Sequence, residues 1–214
     1  MKYGTIIFDL DGTLLNTLDD LADSVNYAMR HCGFPERTRD EVRRFIGNGV
    51  HTLIKRAAPD EISEEQYWAA YDAFEDYYRE HNRDKTAAYP GITELLSELK
   101  AKGYKLAIVS NKIDFAVKAL REEFFADTID VAVGDSEDIE NKPAPDMVYI
   151  AMKELDSELK DCVYVGDTDV DLETAANSKM PCISVSWGFR SRAELEGYGA
   201  PMIADSPKDI LKFV

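Results

Sequence analysis

GTIIFDLDGTLLNT, residues 4–17, opens on four β-branched or aromatic side chains and closes in a turn. Thr5, Ile6, Ile7 and Phe8 predict a buried strand. Asp9 and Asp11 stand where that strand must end, with Leu10 between them on the opposite face. Gly12 and Thr13 then turn the chain in a way that lets backbone approach a ligand closely. The two aspartates are expected to meet at one point. Two carboxylates about 4 Å apart repel by roughly 4 kcal/mol at an effective dielectric of about 20, unless a proton or a cation intervenes. A polar strand end followed by a helix cap would give the same short pattern, so the rest of the chain has to decide.

Past the turn, Leu18, Leu21, Ala22, Val25 and Met29 recur at helical spacing, with Thr17 as N-cap and Gly33 as stop. Thr38 with Glu41 and Ser63 with Gln66 have capping-box spacing, and the second box opens a long aromatic helix from 64 to about 83. Residues 17–84 are therefore read as all-helical. From Tyr89 the pattern changes. Predicted helices over 92–102, 113–122, 146–155 and 172–178 alternate with short strands over 106–109, 131–133, 163–165 and 183–185, before a last strand (202–204) and helix. Such alternation predicts an α/β fold, a parallel sheet with right-handed crossovers and helices on both faces. Ligands of these sheets sit beyond the carboxyl ends of the strands. The residues at those ends are Asp9 and Asp11, Ser110 and Asn111, Gly166 and Asp167, with Asp171 a turn further and Lys142 ahead of the helix that leads into the Gly-Asp strand.

DLDGTL (9–14), VSNK (109–112), NKPAPD (141–146) and VGDTDVD (165–171) resemble, in order, the four motifs of the haloacid dehalogenase superfamily. The resemblance covers the whole predicted core. It implies a Rossmann-like sheet core formed by 1–16 plus 85–214, with 17–84 as a small helical cap inserted after the first strand. Asp9 would be a nucleophile that forms an aspartyl-phosphate, and Asp11 a general acid and base. Lys142 would tie Asp9 to the phosphoryl group. The metal would be held by Asp9, the backbone carbonyl of Asp11, Asp167 and Asp171. Ser110 and the backbone near Asn111 and Gly12 would bind phosphoryl oxygens. Dehalogenases of the superfamily lack the second Asp, because a halide leaves without a proton, so Asp11 favours phosphoryl chemistry. Asn16 departs from the pattern, since many members carry Asp there; the change touches cap hinge or specificity and leaves the reacting pair intact.

Charge counting leads to the cofactor. With Asp11 protonated, three carboxylates and a phosphate dianion face one lysine, and Lys112 is expected to be turned away by helix phase. An all-oxygen site with that deficit suits Mg2+. The segment FIGNGVHTLIKRA (45–57) resembles the cap of phosphoglycolate phosphatases, and SWGFR (186–190) the segment after their fourth motif. Gly47, Asn48 and Gly49 could thus donate to the part of a substrate beyond its phosphate, or form a plain turn. His51, Lys55, Arg56 and Arg190 are candidate carboxylate binders, and the stripe Tyr67, Trp68, Tyr71, Phe74, Tyr78 reads as cap core. The expected activity is hydrolysis of a small phosphate monoester such as 2-phosphoglycolate. Alternatives on the same scaffold are a pyrophosphatase, a sugar-phosphate or nucleotide phosphatase and a β-phosphoglucomutase. A phospho-accepting signalling module is a reading from another class.

The 214 residues carry a formal net charge of −16. That argues against nucleic-acid or anionic-membrane surfaces, which need a basic footprint. The chain begins directly in a strand and has no apolar run near the ~20 residues of a membrane helix, so a cytoplasmic protein is expected, as monomer or homodimer, with a small phosphorylated metabolite as its partner. Cys32, Cys162 and Cys182 are odd in number and lack metal-type spacing, which predicts reduced, partly buried thiols.

Overall fold

The computed structural model describes residues 2–214. The chain divides into two compact units, Met1–Leu15 with Ala88–Val214, and Asn16–Ala87.

The first unit is built on β1 (Thr5–Phe8), whose four side chains are all buried. A separate two-stranded sheet pairs β2 (Leu15–Asn16) with β3 (Ala87–Ala88). The main sheet adds β4 (Lys105–Ile113), β5 (Val131–Asp135), β6 (Cys162–Gly166), β7 (Cys182–Val185) and β8 (Ile203–Ala204), in the order β5-β4-β1-β6-β7-β8. Every pairing in it is parallel. Successive strands step outward from β1 to β5 on one side and from β6 to β8 on the other. The order therefore reverses between β1 and β6, and a doubly wound sheet binds ligands at such a reversal.

Strand alternation explains why Ile6, Ile7 and Phe8 of β1 are all apolar. Ile6 and Phe8 face one core with Ile108, Val163 and Val165, whereas Ile7 faces the other with Val109 and Tyr164. Both faces are covered by helices, so neither can be polar. Burying each such side chain contributes roughly 1.5–3 kcal/mol.

The structure corrects the predicted β4, which does not stop at Val109 but runs on to Ile113, so Ser110 and Asn111 lie within the strand. Polar Ser-Asn-Lys reads as a loop because its reason for burial, the site below, is absent from local sequence. The Asp146–Glu154 and Asp169–Asn177 helices match the pattern within a few residues, while a helix over Arg192–Gly197 was not anticipated. Its signal was present as the Ser191 and Glu194 capping box. Cys32, Cys162 and Cys182 are free thiols, the last two buried.

The second unit contains α1 (Leu18–His31), α2 (Arg39–Phe45), α3 (Gly49–Ala57) and α4 (Glu64–His81). Both capping boxes form as expected, Thr38 with Glu41 and Ser63 with Gln66. Thr17 occupies the N-cap position of α1 but makes no side-chain cap; the Leu18 amide donates instead to Asn16 Oδ1 at 3.4 Å. The aromatic stripe of α4 is core only in its second half. Phe74 and Tyr78 are buried, while Trp68 is 44% exposed and Tyr71 stacks on His51 of α3 with centroids 4.4 Å apart. Among the described residues, no helix is long and apolar enough to cross a membrane.

Candidate active site

Asp9 continues the ladder of β1 by donating its amide to Val165 O at 2.8 Å, which sets the carboxylate at the sheet's order reversal. The chain then turns at once, with Leu10 O accepting from Leu14 and Leu15 at 3.0 Å. Gly12 has φ +89, and a Cβ there would lie 2.4 Å from Asp167 Oδ2. A Cβ on Gly188 would meet the same oxygen at 2.4 Å. Two glycines thus let backbone close around the Asp167 carboxylate, which accepts from Thr13 Oγ1 at 3.0 Å and Phe189 N at 2.6 Å. The Gly12 amide donates to Leu15 O at 2.8 Å within the turn.

Lys142 is held through its backbone. Its N–H donates to Asn111 Oδ1 at 2.7 Å and its carbonyl accepts from Asn111 Nδ2 at 2.9 Å. The Asn111 side chain therefore orients the lysine. The buried ammonium then donates to Asp9 Oδ1 and Asp171 Oδ1, both at 2.8 Å, and to Tyr164 Oη at 3.1 Å. An ammonium has three N–H groups, and each has a partner. Burial pulls the Lys142 pKa down, but the Asp171 and Asp9 carboxylates outweigh it and hold the pKa well above the ordinary lysine value. Tyr164 was missed by sequence reading because a tyrosine in a buried strand looks like any core aromatic.

Asp171 does two jobs at the start of the Asp169–Asn177 helix. One oxygen faces Lys142; the other accepts from the amides of Asp167 and Thr168 at 3.1 and 3.0 Å, and from Thr168 Oγ1 at 2.8 Å. Burial pushes Asp9 up to about 7, Lys142 opposing and the Asp171 charge adding. Asp167 is raised well above the carboxylate range by burial and by the charges of Asp171 and Asp9. Two lifted carboxylates signal a local deficit of positive charge. Asp9, Asp167 and Asp171 each offer an oxygen within 4.8 Å of the others. A buried, all-oxygen donor set with that deficit fits a hard divalent cation.

Asp11 has a different neighbour. Its two oxygens lie 2.8 and 3.0 Å from Lys112 Nζ, which is buried. This overturns the expectation that Lys112 turns away: it sits on a strand, and the charge count omitted a cation that the fold brings in. The aspartates leave the same strand end but their carboxylates take separate lysines. Ser110, also buried, accepts the Lys112 amide on its hydroxyl at 3.2 Å.

Gly47, Asn48 and Gly49 belong to the helical unit. Gly47 and Gly49 have φ +130 and +78, and Asn48 stands at the N-cap of α3 without a side-chain cap bond. In the same unit His51 Nδ1 is 2.8 Å from Tyr67 Oη, and Arg56 donates to Phe45 O at 2.8 Å. In the sheet unit, buried Arg190 pairs with Asp169 at 3.5 Å.

Residues 6–185 match the haloacid dehalogenase-like hydrolase family. A phosphoglycolate phosphatase of Vibrio vulnificus is 33% identical, over 98% of this chain and 95% of that protein. The pyrophosphatase PpaX of Bacillus mycoides is 29% identical, over 99% and 96%. A solved structure from Lactobacillus delbrueckii subsp. bulgaricus, provisionally assigned as a phosphoglycolate phosphatase, superimposes with a TM-score of 0.95 at 37% identity, covering 98% of this chain and 97% of that one.

Proposed function

Since the chain belongs to the haloacid dehalogenase-like hydrolase family and is an enzyme of its phosphatase branch, we propose that it hydrolyses a small phosphate monoester, 2-phosphoglycolate first among them, through an aspartyl-phosphate. One observation carries the reading: a buried ammonium bridges Asp9 and Asp171 at the carboxyl end of a parallel sheet, beside the Asp167 carboxylate. That arrangement steadies a nucleophilic carboxylate and places positive charge where phosphoryl oxygens would arrive.

In the proposed first step an Asp9 oxygen forms a bond to phosphorus. The ester P–O bond breaks, and its electron pair leaves with the alkoxide, which takes a proton from Asp11. In the second step Asp11 takes a proton from water as that water attacks phosphorus, and Asp9 leaves as a carboxylate. Lys142, bonded to Asp9, places its positive charge beside the phosphoryl group, and Ser110 with the backbone near Asn111 contributes donors. Asp9, the Asp11 backbone carbonyl, Asp167 and Asp171 would hold Mg2+, which supplies compensation for the negative charge of the phosphoryl oxygens. Residues 17–84 are assigned as the cap, and Gly47, Asn48 and Gly49 as selectors of the substrate beyond its phosphate.

The full-length similarity to a pyrophosphatase favours a second reading, in which the leaving group is phosphate itself. The deciding experiment measures phosphate release with Mg2+ and with EDTA from 2-phosphoglycolate, pyrophosphate, glucose phosphates, nucleotides and p-nitrophenyl phosphate. Metal-dependent turnover greatest on phosphoglycolate supports the first reading. Turnover greatest on pyrophosphate selects the second, and no turnover on any compound removes both.

A further inference from the structure

We propose that Lys112 is a positioning residue for Asp11: its ammonium fixes the orientation of the carboxylate that must reach the leaving-group oxygen. This rests on the reading of Asp11 as acid and base. The contact itself is specific. Both Asp11 oxygens lie within 3.0 Å of Nζ, and the Lys112 and Asp11 side chains are only 4% and 14% exposed. An ammonium on both oxygens removes the two torsional freedoms a short carboxylate otherwise keeps.

The backbone under Lys112 is shaped for this contact. Val109 of β4 pairs with Val133 and Ile113 with Asp135, so the register between β4 and β5 slips across Ser110, Asn111 and Lys112. Irregularities of this kind re-aim side chains beside functional sites. Here the slip lets Asn111 serve Lys142 while Lys112 serves Asp11. Gly134 of β5 makes the slip possible: a Cβ there would lie 2.7 Å from Lys112 O and 2.5 Å from Asp114 Cα. The Gly134 amide donates to Asp114 Oδ1 at 3.1 Å, and the Lys112 amide to Ser110 Oγ at 3.2 Å, which hold the irregular segment from both sides.

Removing an ammonium and a carboxylate from water costs several kcal/mol each, and a well-packed apolar pair in the same place is often at least as stable. A buried pair that is a poor source of stability but a good source of orientation fits a catalytic carboxylate. Transfer of a proton needs the acid within hydrogen-bond reach, and a misplacement of about 1 Å costs on the order of 10²-fold in rate.

The test is a double-mutant cycle of Lys112→Met, Asp11→Asn and their combination, with kcat and KM read on p-nitrophenyl phosphate and on the best alkyl phosphate of the panel. Lys112→Met is expected to lower kcat about 10-fold or more on the alkyl phosphate, whose leaving group needs the proton, and far less on the nitrophenyl ester, with KM within about threefold. In the Asp11→Asn background it should lower kcat no further, and Lys112→Arg should recover part of the loss. Equal losses on both substrates, additive losses in the cycle, or a raised KM at unchanged kcat would each overturn the proposal. If Lys112→Met does not fold, as judged by circular dichroism, Lys112→Gln carries the same cycle. An Asp11→Asn variant whose loss ignores the leaving group would instead strike the acid role of Asp11, and the coupling in the cycle would still report on Lys112.

Discussion

Asp20 of the helical unit and Asp9 of the sheet unit are both buried carboxylates, and their surroundings support them in opposite ways. Asp20, in the first turn of α1, accepts from the Lys85 amide at 3.0 and 3.1 Å, from the Thr86 amide at 2.9 Å and from Thr86 Oγ1 at 2.7 Å. Its donors are neutral groups of a segment some 65 residues later in the chain. Asp9 shares one lysine with Asp171 and is pushed up to about 7 by burial. A carboxylate that holds structure together is given its donors by the fold. Among the described residues Asp9 has only a lysine it shares with Asp171, and burial raises its pKa, as is common for carboxylates placed for chemistry.

The largest effect expected from breaking this contrast is at Asp9. Asp9→Asn should reduce turnover by about 10³-fold or more while the metal-free protein melts no lower than the parent, because a desolvated charge has been removed. Retained activity, with Tm followed in parallel, would remove Asp9 as nucleophile. Asp20→Ala should act the other way round. Two amides and a hydroxyl lose their acceptor, and urea denaturation should show a loss of about 2–4 kcal/mol. A loss below about 0.5 kcal/mol would mean water replaces Asp20 freely and the contrast fails.

The smallest effect is on pH dependence. Between the ordinary aspartate value of 3.8 and about 7, folded Asp9 keeps a proton that the unfolded chain has released. Its contribution to stability therefore declines as pH rises through that window and is fully unfavourable above it. Millimolar Mg2+ should raise Tm by about 5 °C at pH 8, by mass action on the folded state, and by clearly less at pH 5.5. Equal shifts at the two pH values would place the cation elsewhere, and Asp9→Asn should flatten the difference.

Much of this contrast was legible before the fold was known. Asp9 and Asp167 stood out because each follows a predicted strand, and Lys142 because it precedes the helix leading into one; strand ends in a doubly wound sheet converge. Both capping boxes of the helical unit were read correctly, since they depend on residues three apart. What escaped notice had no local signature. Tyr164 has the pattern of a core aromatic, and Lys112 the pattern of a helix start. Ser110 and Asn111 look like loop residues although they are part of β4, because their partners lie elsewhere in the chain.

The order of helices and strands, the apolar face of each and the identity of the motif residues follow from the sequence by itself, because periodicity, capping and turn chemistry act over a few residues. Only the tertiary structure decided which lysine meets which aspartate. Lys142 reaches Asp9 across 133 positions, and Lys112 reaches Asp11 across 101. Those pairings depend on the register between β4 and β5, and on a glycine at position 134 that leaves room for the slip. No short-range preference encodes a register between strands, since it is set by the packing of both strands at once.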